Sequence, residues 1–264
     1  MSRRDLSETP AWRRYPWRVF WTLLAAAVAG YLGVLPYMFQ LFAKLLNLTM
    51  PVPVFVAVQL MQAMILFGLV VGVGLLVGDK VGIDAPLLRH WLYRRQRVGA
   101  RAATWRFAAV AGLLTGVFTL LLFYSLLVRY LPNWPSEAVV PIWKRLLACV
   151  YGAVDEELLL RLFLLSLVLW GVRKLARADL RSGAVSFWIG NVVVALVFAA
   201  AHLPAAKALM PLTQSVVVAV MLLNTGAGIV FGYLACRRGI EAAMIAHFVS
   251  DLILHLAGPL FASA

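Results

Sequence analysis

Seven long apolar segments dominate the chain and constrain its fold more than any other feature. Each is close to the ~20 residues that a helix needs to cross a hydrocarbon core of about 30 Å. Backbone polar groups in lipid must be satisfied within the chain, so runs of this length are helical there. The sequence therefore predicts an all-α protein, a polytopic bundle of about seven transmembrane helices forming one membrane domain, 1–264. The predicted segments are 19–43, 54–78, 107–128, 142–170, 184–203, 213–235 and 240–257.

The composition excludes the main alternatives to a helical membrane protein. Hydrophobic residues make up 63% of the chain and charged residues 13%, against about 45–50% and about 25% in soluble domains. This excludes a soluble globular enzyme and a disordered chain. A membrane β-barrel is not expected, because its strands alternate apolar and polar residues over about 10 positions. The two cysteines, Cys149 and Cys236, lie in or beside apolar segments and are expected to be free thiols.

Basic residues concentrate on one side of the predicted membrane. With the N-terminus in the cytoplasm, 18 of the 24 Lys and Arg residues lie on the inner side and five on the outer side. This positive-inside pattern accounts for the net charge of +13 without a nucleic-acid partner. We therefore expect a multi-pass protein of the bacterial inner (cytoplasmic) membrane, in contact with lipid, with the basic loop 79–106 facing the membrane surface. The residues Ala27-Val28-Ala29 fit a signal-peptide cleavage site, but the apolar run continues beyond them, so an uncleaved first span is expected.

The fourth apolar segment carries four ionisable residues within seven positions, Asp155, Glu156, Glu157 and Arg161. Each ionisable group at mid-membrane costs about 2.5–3.5 kcal/mol on insertion scales, so it indicates a functional or pairing role. Glu157 and Arg161 are four residues apart and share a helix face, which predicts an ion pair. Glu156 is about a quarter turn away and has no local partner. It is the candidate general base.

Two further apolar segments carry histidines. His202 lies at the end of the fifth segment, as the last residue of the sequence FAAAH. In the seventh segment, His247 and Asp251 are four residues apart and lie on one helix face. His255 is one turn further on and is expected to reach only the membrane interface.

The three clusters follow one another along the chain as EExxxR, FxxxH and HxxxD. This order resembles the CPBP family of intramembrane proteases, which includes the type II CAAX prenyl endopeptidases and bacteriocin-processing or immunity proteins. The resemblance covers 142–257, a catalytic core within the membrane domain. It does not cover the first three spans.

The resemblance implies a role for each motif residue. Glu156 corresponds to the base that activates water, and Glu157 and Arg161 correspond to the second glutamate and the arginine of the first motif. His202 would help to hold the water. His247 would donate a hydrogen bond to the oxyanion.

Position 251 departs from the family, which often has asparagine there. An ionised aspartate can only accept hydrogen bonds, whereas an asparagine amide can donate one to an oxyanion. Asp251 is therefore expected either to be protonated or to orient His247.

Two mechanisms are compatible with these residues. Glu156, His202 and His247 could hold one divalent metal, most simply zinc, with a water in the fourth position. Alternatively Glu156 and His202 activate water without a metal, and His247 stabilises the tetrahedral intermediate. The chain lacks an HExxH zinc motif, so we expect the metal-free mechanism and no cofactor.

The sequence therefore predicts an intramembrane endopeptidase acting on a membrane-associated protein or peptide. Two other classes stay open: a non-enzymatic CPBP-like immunity or scaffold protein, and a proton-coupled transporter, which would be expected to show internal repeats. The sequence indicates neither the cleavage site nor the oligomeric state.

Overall fold

The protein is an all-helical bundle in the computed structural model, which describes residues 15–42, 50–93, 101–131, 139–175 and 183–261. These residues contain no β-strand, so the predicted all-α class is confirmed. Part of the predicted charge asymmetry lies outside the described residues, namely Arg3, Arg4, Arg13, Arg14, Lys44, Arg94, Arg95, Arg97, Arg177 and Arg181.

The α-helices are numbered here in chain order. They are α1 Trp17–Leu41, α2 Val52–Val81, α3 Pro86–Tyr93, α4 Arg101–Leu122, α5 Ile142–Tyr151, α6 Ser166–Leu175, α7 Gly183–Ala201, α8 Leu203–Leu209, α9 Gln214–Arg238, α10 Ile240–Leu252 and α11 Gly258–Phe261. Wider π-helical turns connect or extend several of them, at Phe123–Leu127, Gly152–Glu156, Leu158–Leu165 and Ile253–Ala257.

Six helices in the described part of the chain are long and apolar enough to cross a membrane. They are Trp17–Leu41, Val52–Val81, Thr104–Ser125, Gly183–Leu209, Gln214–Arg238 and Ile240–Leu260. These six match six of the seven predicted segments. The remaining predicted segment, 142–170, is helical from α5 through α6 but carries the charged motif and two π-helical stretches. The predicted count of about seven spans is thus approximately confirmed.

This interrupted segment, 142–175, lies in the interior of the bundle. Its middle packs against α1, α2, α7 and α10. Asp155, Glu157 and Arg161 are each at most 1% exposed as a result. Burial inside the protein keeps these groups away from lipid tails, where no partner could satisfy them.

Helix α10 returns beside α9 through a very short connection at Gly239. This residue has φ +95°, a left-handed conformation that glycine adopts without the steric cost of a side chain. Because the connection is so short, α10 packs along both α9 and α4. This places His247 and Asp251 opposite the segment 142–175, called the charged segment below.

The helical hydrogen-bond pattern is interrupted at His202, between α7 and the short helix α8. The His202 amide donates to the Ala199 carbonyl rather than continuing the regular four-residue pattern. His202 Nδ1 lies 2.8 Å from the Phe198 carbonyl oxygen, the acceptor that this pattern leaves unused. The fifth predicted segment therefore ends in an interrupted helix instead of a continuous one.

Candidate active site

The charged motif lies on π-helical turns. Residues Gly152–Glu156 and Leu158–Leu165 form two wide turns on either side of Glu157. π-helical turns are rare and occur frequently at functional sites. No feature of the sequence analysis predicted them.

Glu157 and Arg161 form the predicted ion pair. Arg161 Nη1 lies 3.1 Å from Glu157 Oε1, and both side chains are at most 1% exposed. Arg161 Nη2 also donates to the Gly228 carbonyl of α9 at 3.3 Å. The guanidinium lies 4.7 Å from the centre of the Phe198 ring, a cation–π distance. The pair therefore has partners on two helices, α9 and α7.

The same Glu157 oxygen also holds His247. His247 Nδ1 lies 2.8 Å from Glu157 Oε1. A carboxylate can only accept, so Nδ1 carries the proton and donates it in this bond. This directs the other ring nitrogen, Nε2, away from Glu157.

His247 Nε2 faces the two remaining acidic residues of the site. It lies 3.9 Å from Glu156 Oε2 and 3.5 Å from Asp251 Oδ2. The side chains of Glu156 and Asp251 are 24% and 14% exposed, whereas that of Glu157 is fully buried. The site is thus open on the side of Glu156 and Asp251 and closed on the side of Glu157.

His202 lies beside this cluster but makes no direct hydrogen bond to it within the described residues. Its ring is edge-on to Phe198, with centres 4.7 Å apart, and the Phe198 ring is also edge-on to His247 at 5.9 Å. Because a carbonyl only accepts, the Nδ1 contact to Phe198 leaves His202 Nε2 as an acceptor in the neutral ring. An acceptor of this kind can orient a water molecule.

The structure brings all six predicted site residues into one region of the bundle. Both alternatives for Asp251 stay predictions, and the structure adds that Glu157 holds His247 through Nδ1. Asp251 lies on the Nε2 side. His255, which was not expected at the site, interacts electrostatically with Asp251.

Two residues near the site were not predicted. Phe231 of α9 stacks on the His247 ring with centres 4.5 Å apart and an interplanar angle of 19°. Gly152 lies on the Nε2 side of the His247 ring. A Cβ added at Gly152 would be 3.2 Å from His247 Nε2. Phe231 lies between Gly228 and Gly232 of α9.

The fit of a metal ion can be judged from the same side chains. In the described ranges, no group of three or more His, Cys, Asp or Glu side chains is arranged to hold one. His202 uses Nδ1 on a backbone carbonyl and His247 uses Nδ1 on Glu157, which leaves Nε2 free on each ring. One nitrogen per ring is enough for a metal ligand, so it is the positions of the side chains by which Glu156, His202 and His247 fail to form a ligand set in the described residues.

Residues 138–253 match the family model described as Type II CAAX prenyl endopeptidase Rce1-like. The match covers a little under half of the chain and contains all six predicted site residues. No curated protein and no solved structure is similar enough to match. The family match confirms the resemblance predicted from the three motifs, and it supports an intramembrane protease of the CAAX type in general.

Proposed function

We propose that this chain hydrolyses a peptide bond of a membrane-associated protein or peptide, with a water molecule that Glu156 activates. One observation carries the proposal. Glu156 is the most exposed of three carboxylates around a single imidazole, in a cluster that is closed on the side of Glu157. A general base must reach both water and substrate, and Glu156 meets that requirement better than the buried Glu157.

The positions of the side chains support the following reaction. Glu156 takes a proton from water as the water oxygen attacks the carbonyl carbon of the scissile peptide bond. His202 Nε2 accepts a hydrogen bond from the other water hydrogen, which stays on the attacking oxygen, and so orients the attack. The carbon–nitrogen bond then breaks, and Glu156 returns its proton to the leaving amine, so that no external acid is needed.

His247 stabilises the negative charge that develops on the carbonyl oxygen of the scissile bond. Its Nε2, when protonated, donates to the oxyanion of the tetrahedral intermediate. Asp251 Oδ2 lies 3.5 Å from the same nitrogen. In the resting site this oxygen accepts the proton of Nε2 in a hydrogen bond. Glu157 fixes the ring from the other side, and Arg161 keeps Glu157 in place.

The proposed mechanism uses no metal. Glu156 supplies the base and His247 the electrostatic stabilisation, the two tasks that a catalytic zinc would otherwise perform. The protein is a multi-pass membrane protein. We further propose that it resides in a bacterial inner membrane with its N-terminus in the cytoplasm, on the basis of the 18 basic residues assigned to that side.

Glu156→Gln tests the proposal most directly. The full chain is reconstituted into liposomes with a panel of membrane-anchored peptides, including a prenylated peptide with a C-terminal CAAX sequence, and products are identified by mass spectrometry. We expect Glu156→Gln to abolish cleavage and to leave the melting temperature unchanged. The matched control Asp79→Asn makes the same acid-to-amide change at an exposed position and should retain full activity.

Full cleavage by Glu156→Gln would show that another group is the base. A wild-type protein that cleaves no member of the panel would instead favour the non-enzymatic immunity or scaffold class.

A further inference from the structure

Helix α9 reaches the site through an apolar residue. Phe231 is 1% exposed and stacks nearly parallel on the His247 imidazole, with ring centres 4.5 Å apart. Its ring centre also lies 5.7 Å from the Arg161 guanidinium carbon. Phe231 therefore touches the imidazole and also approaches the arginine that supports the imidazole through Glu157.

The close packing of α9 on α7 holds Phe231 in position. A Cβ added at Gly228 would lie 3.0–3.1 Å from atoms of Ala195 and Phe198, so the helices approach closely at this residue. Asn191 of α7 donates from Nδ2 to the Ile229 carbonyl at 3.0 Å. These contacts fix the position of α9 along α7. Phe231 lies against His247 because α9 is held in that position.

The His247 ring can turn about its Cβ–Cγ bond unless both its direction and its plane are restrained. The hydrogen bond from Nδ1 to Glu157 restrains the direction. A flat aromatic neighbour restrains the plane, because offset or parallel stacking loses its contact area when one ring rotates. With both restraints, Nε2 faces Glu156 and Asp251.

We propose that Phe231 is a positioning residue for the hydrolysis, because it fixes the plane of the His247 imidazole. The inference rests on the proposed function, in which His247 Nε2 donates to the oxyanion. A hydrogen-bond donor misplaced by about 1 Å can cost about 100-fold in rate. Removing the ring should therefore slow the chemical step more than it weakens substrate binding.

The first experiment compares two Phe→Leu variants of the full-length protein in liposomes. Phe231→Leu removes the stacked ring, and Phe67→Leu removes an equally buried ring that packs on Tyr31 of α1. Both should lower the melting temperature. Only Phe231→Leu should lower kcat, by about 10- to 100-fold, with KM changed less than about twofold, and Phe231→Tyr should restore most of the loss because it keeps the ring.

The second experiment does not depend on proteolysis. The chain has four histidines, so histidine-labelled protein gives few ring signals in nuclear magnetic resonance spectra. The signal that disappears in His247→Gln is that of His247. We expect this signal to lie upfield, because the ring sits over an aromatic face, and to move downfield in Phe231→Leu while the other three stay in place.

The inference is overturned if the His247 signal is the same in Phe231→Leu and wild type, or if Phe231→Leu keeps wild-type kcat. Glu156→Gln separates this failure from failure of the proposed function. If Glu156→Gln is inactive and Phe231→Leu is fully active, only the positioning role is wrong. If Glu156→Gln is active, the proposed base is wrong, and the spectra still decide whether Phe231 fixes the ring.

Discussion

His247 Nδ1 lies 2.8 Å from Glu157 Oε1, although 90 residues separate the two in the chain. Arg161 Nη1 lies 3.1 Å from the same oxygen. One carboxylate oxygen therefore holds both the buried arginine and the imidazole of the candidate site. This contact joins the first and third motifs, which the sequence places on different helices.

Arg161→Ala should destabilise the protein strongly. It leaves the fully buried Glu157 without its cation, and breaking a buried ion pair from one side costs about 3–5 kcal/mol. Thermal unfolding of the purified protein in detergent measures the loss. The control is Arg89→Ala, which removes a more exposed pair with Asp84 and should cost at most about 1 kcal/mol. Equal losses in the two variants would contradict the structural importance of the buried pair.

Gly152→Ala should reduce activity without reducing stability. An added Cβ would lie 2.5 Å from Asp251 Oδ2 and 3.2 Å from His247 Nε2. Both are ends of side chains, so the fold can accept the methyl group while the site residues move. Alanine also favours helix over glycine by about 1 kcal/mol. We expect kcat/KM to fall at least about 10-fold at an unchanged or higher melting temperature.

Gly171→Ala is the matched control for Gly152→Ala. It lies further along the same charged segment, and an added Cβ there would meet no atom within 4 Å. Its activity should equal that of wild type. If Gly152→Ala is as active as Gly171→Ala, the close approach at Gly152 has no role in the site.

Gly30→Ala should disturb the charged segment from the side of α1. An added Cβ would overlap the Asp155 carboxylate, which is 1% exposed and precedes Glu156. In the described part of the chain neither Asp155 oxygen has a hydrogen-bond partner, but the side chain is buried, so the carboxylate can shift only by displacing its packed neighbours. We expect lower stability and lower activity, measured by thermal unfolding and peptide cleavage.

Two further variants interpret the Gly30 result. Gly33→Ala on the same helix would place its Cβ 3.6 Å from Leu147 Cδ2, an ordinary contact, and should behave as wild type. The double variant Gly30→Ala/Asp155→Ala removes the overlapping carboxylate and should recover stability relative to Gly30→Ala. If the two changes are simply additive, Gly30 and Asp155 are not coupled.

Removal of metal ions should leave cleavage intact. A metal bound by Glu156, His202 and His247 would be present at roughly one equivalent per chain, and a strong chelator would abolish activity reversibly. We expect full activity after thorough chelation and no stoichiometric metal in elemental analysis of the active protein. Stoichiometric zinc that follows activity, and is lost in His202→Ala and His247→Ala, would establish the metal-dependent mechanism instead.

Local patterns were enough to predict much of the fold. The length of each apolar run predicted a helix, and six of the seven correspond to helices able to span a membrane. The short helix α3 was not predicted, since it lies in the basic loop 79–106 and eight residues give little periodic signal. The interruption at His202 was not predicted, because a proline such as Pro204 indicates a break in a helix without locating it.

The sequence by itself determined those parts of the site that depend on residues within one helical turn. Glu157 and Arg161 pair because four residues bring them to one helix face, and the order of the three motifs was sufficient to predict the resemblance that the family model matches over 138–253. Only the tertiary structure decided which residue orients His247, on which side of the ring Asp251 lies, and that Phe231 stacks on it. These relationships join α9, α10 and the charged segment. They depend on how closely whole helices pack, which is set by many contacts distant in the chain and by no single spacing along it.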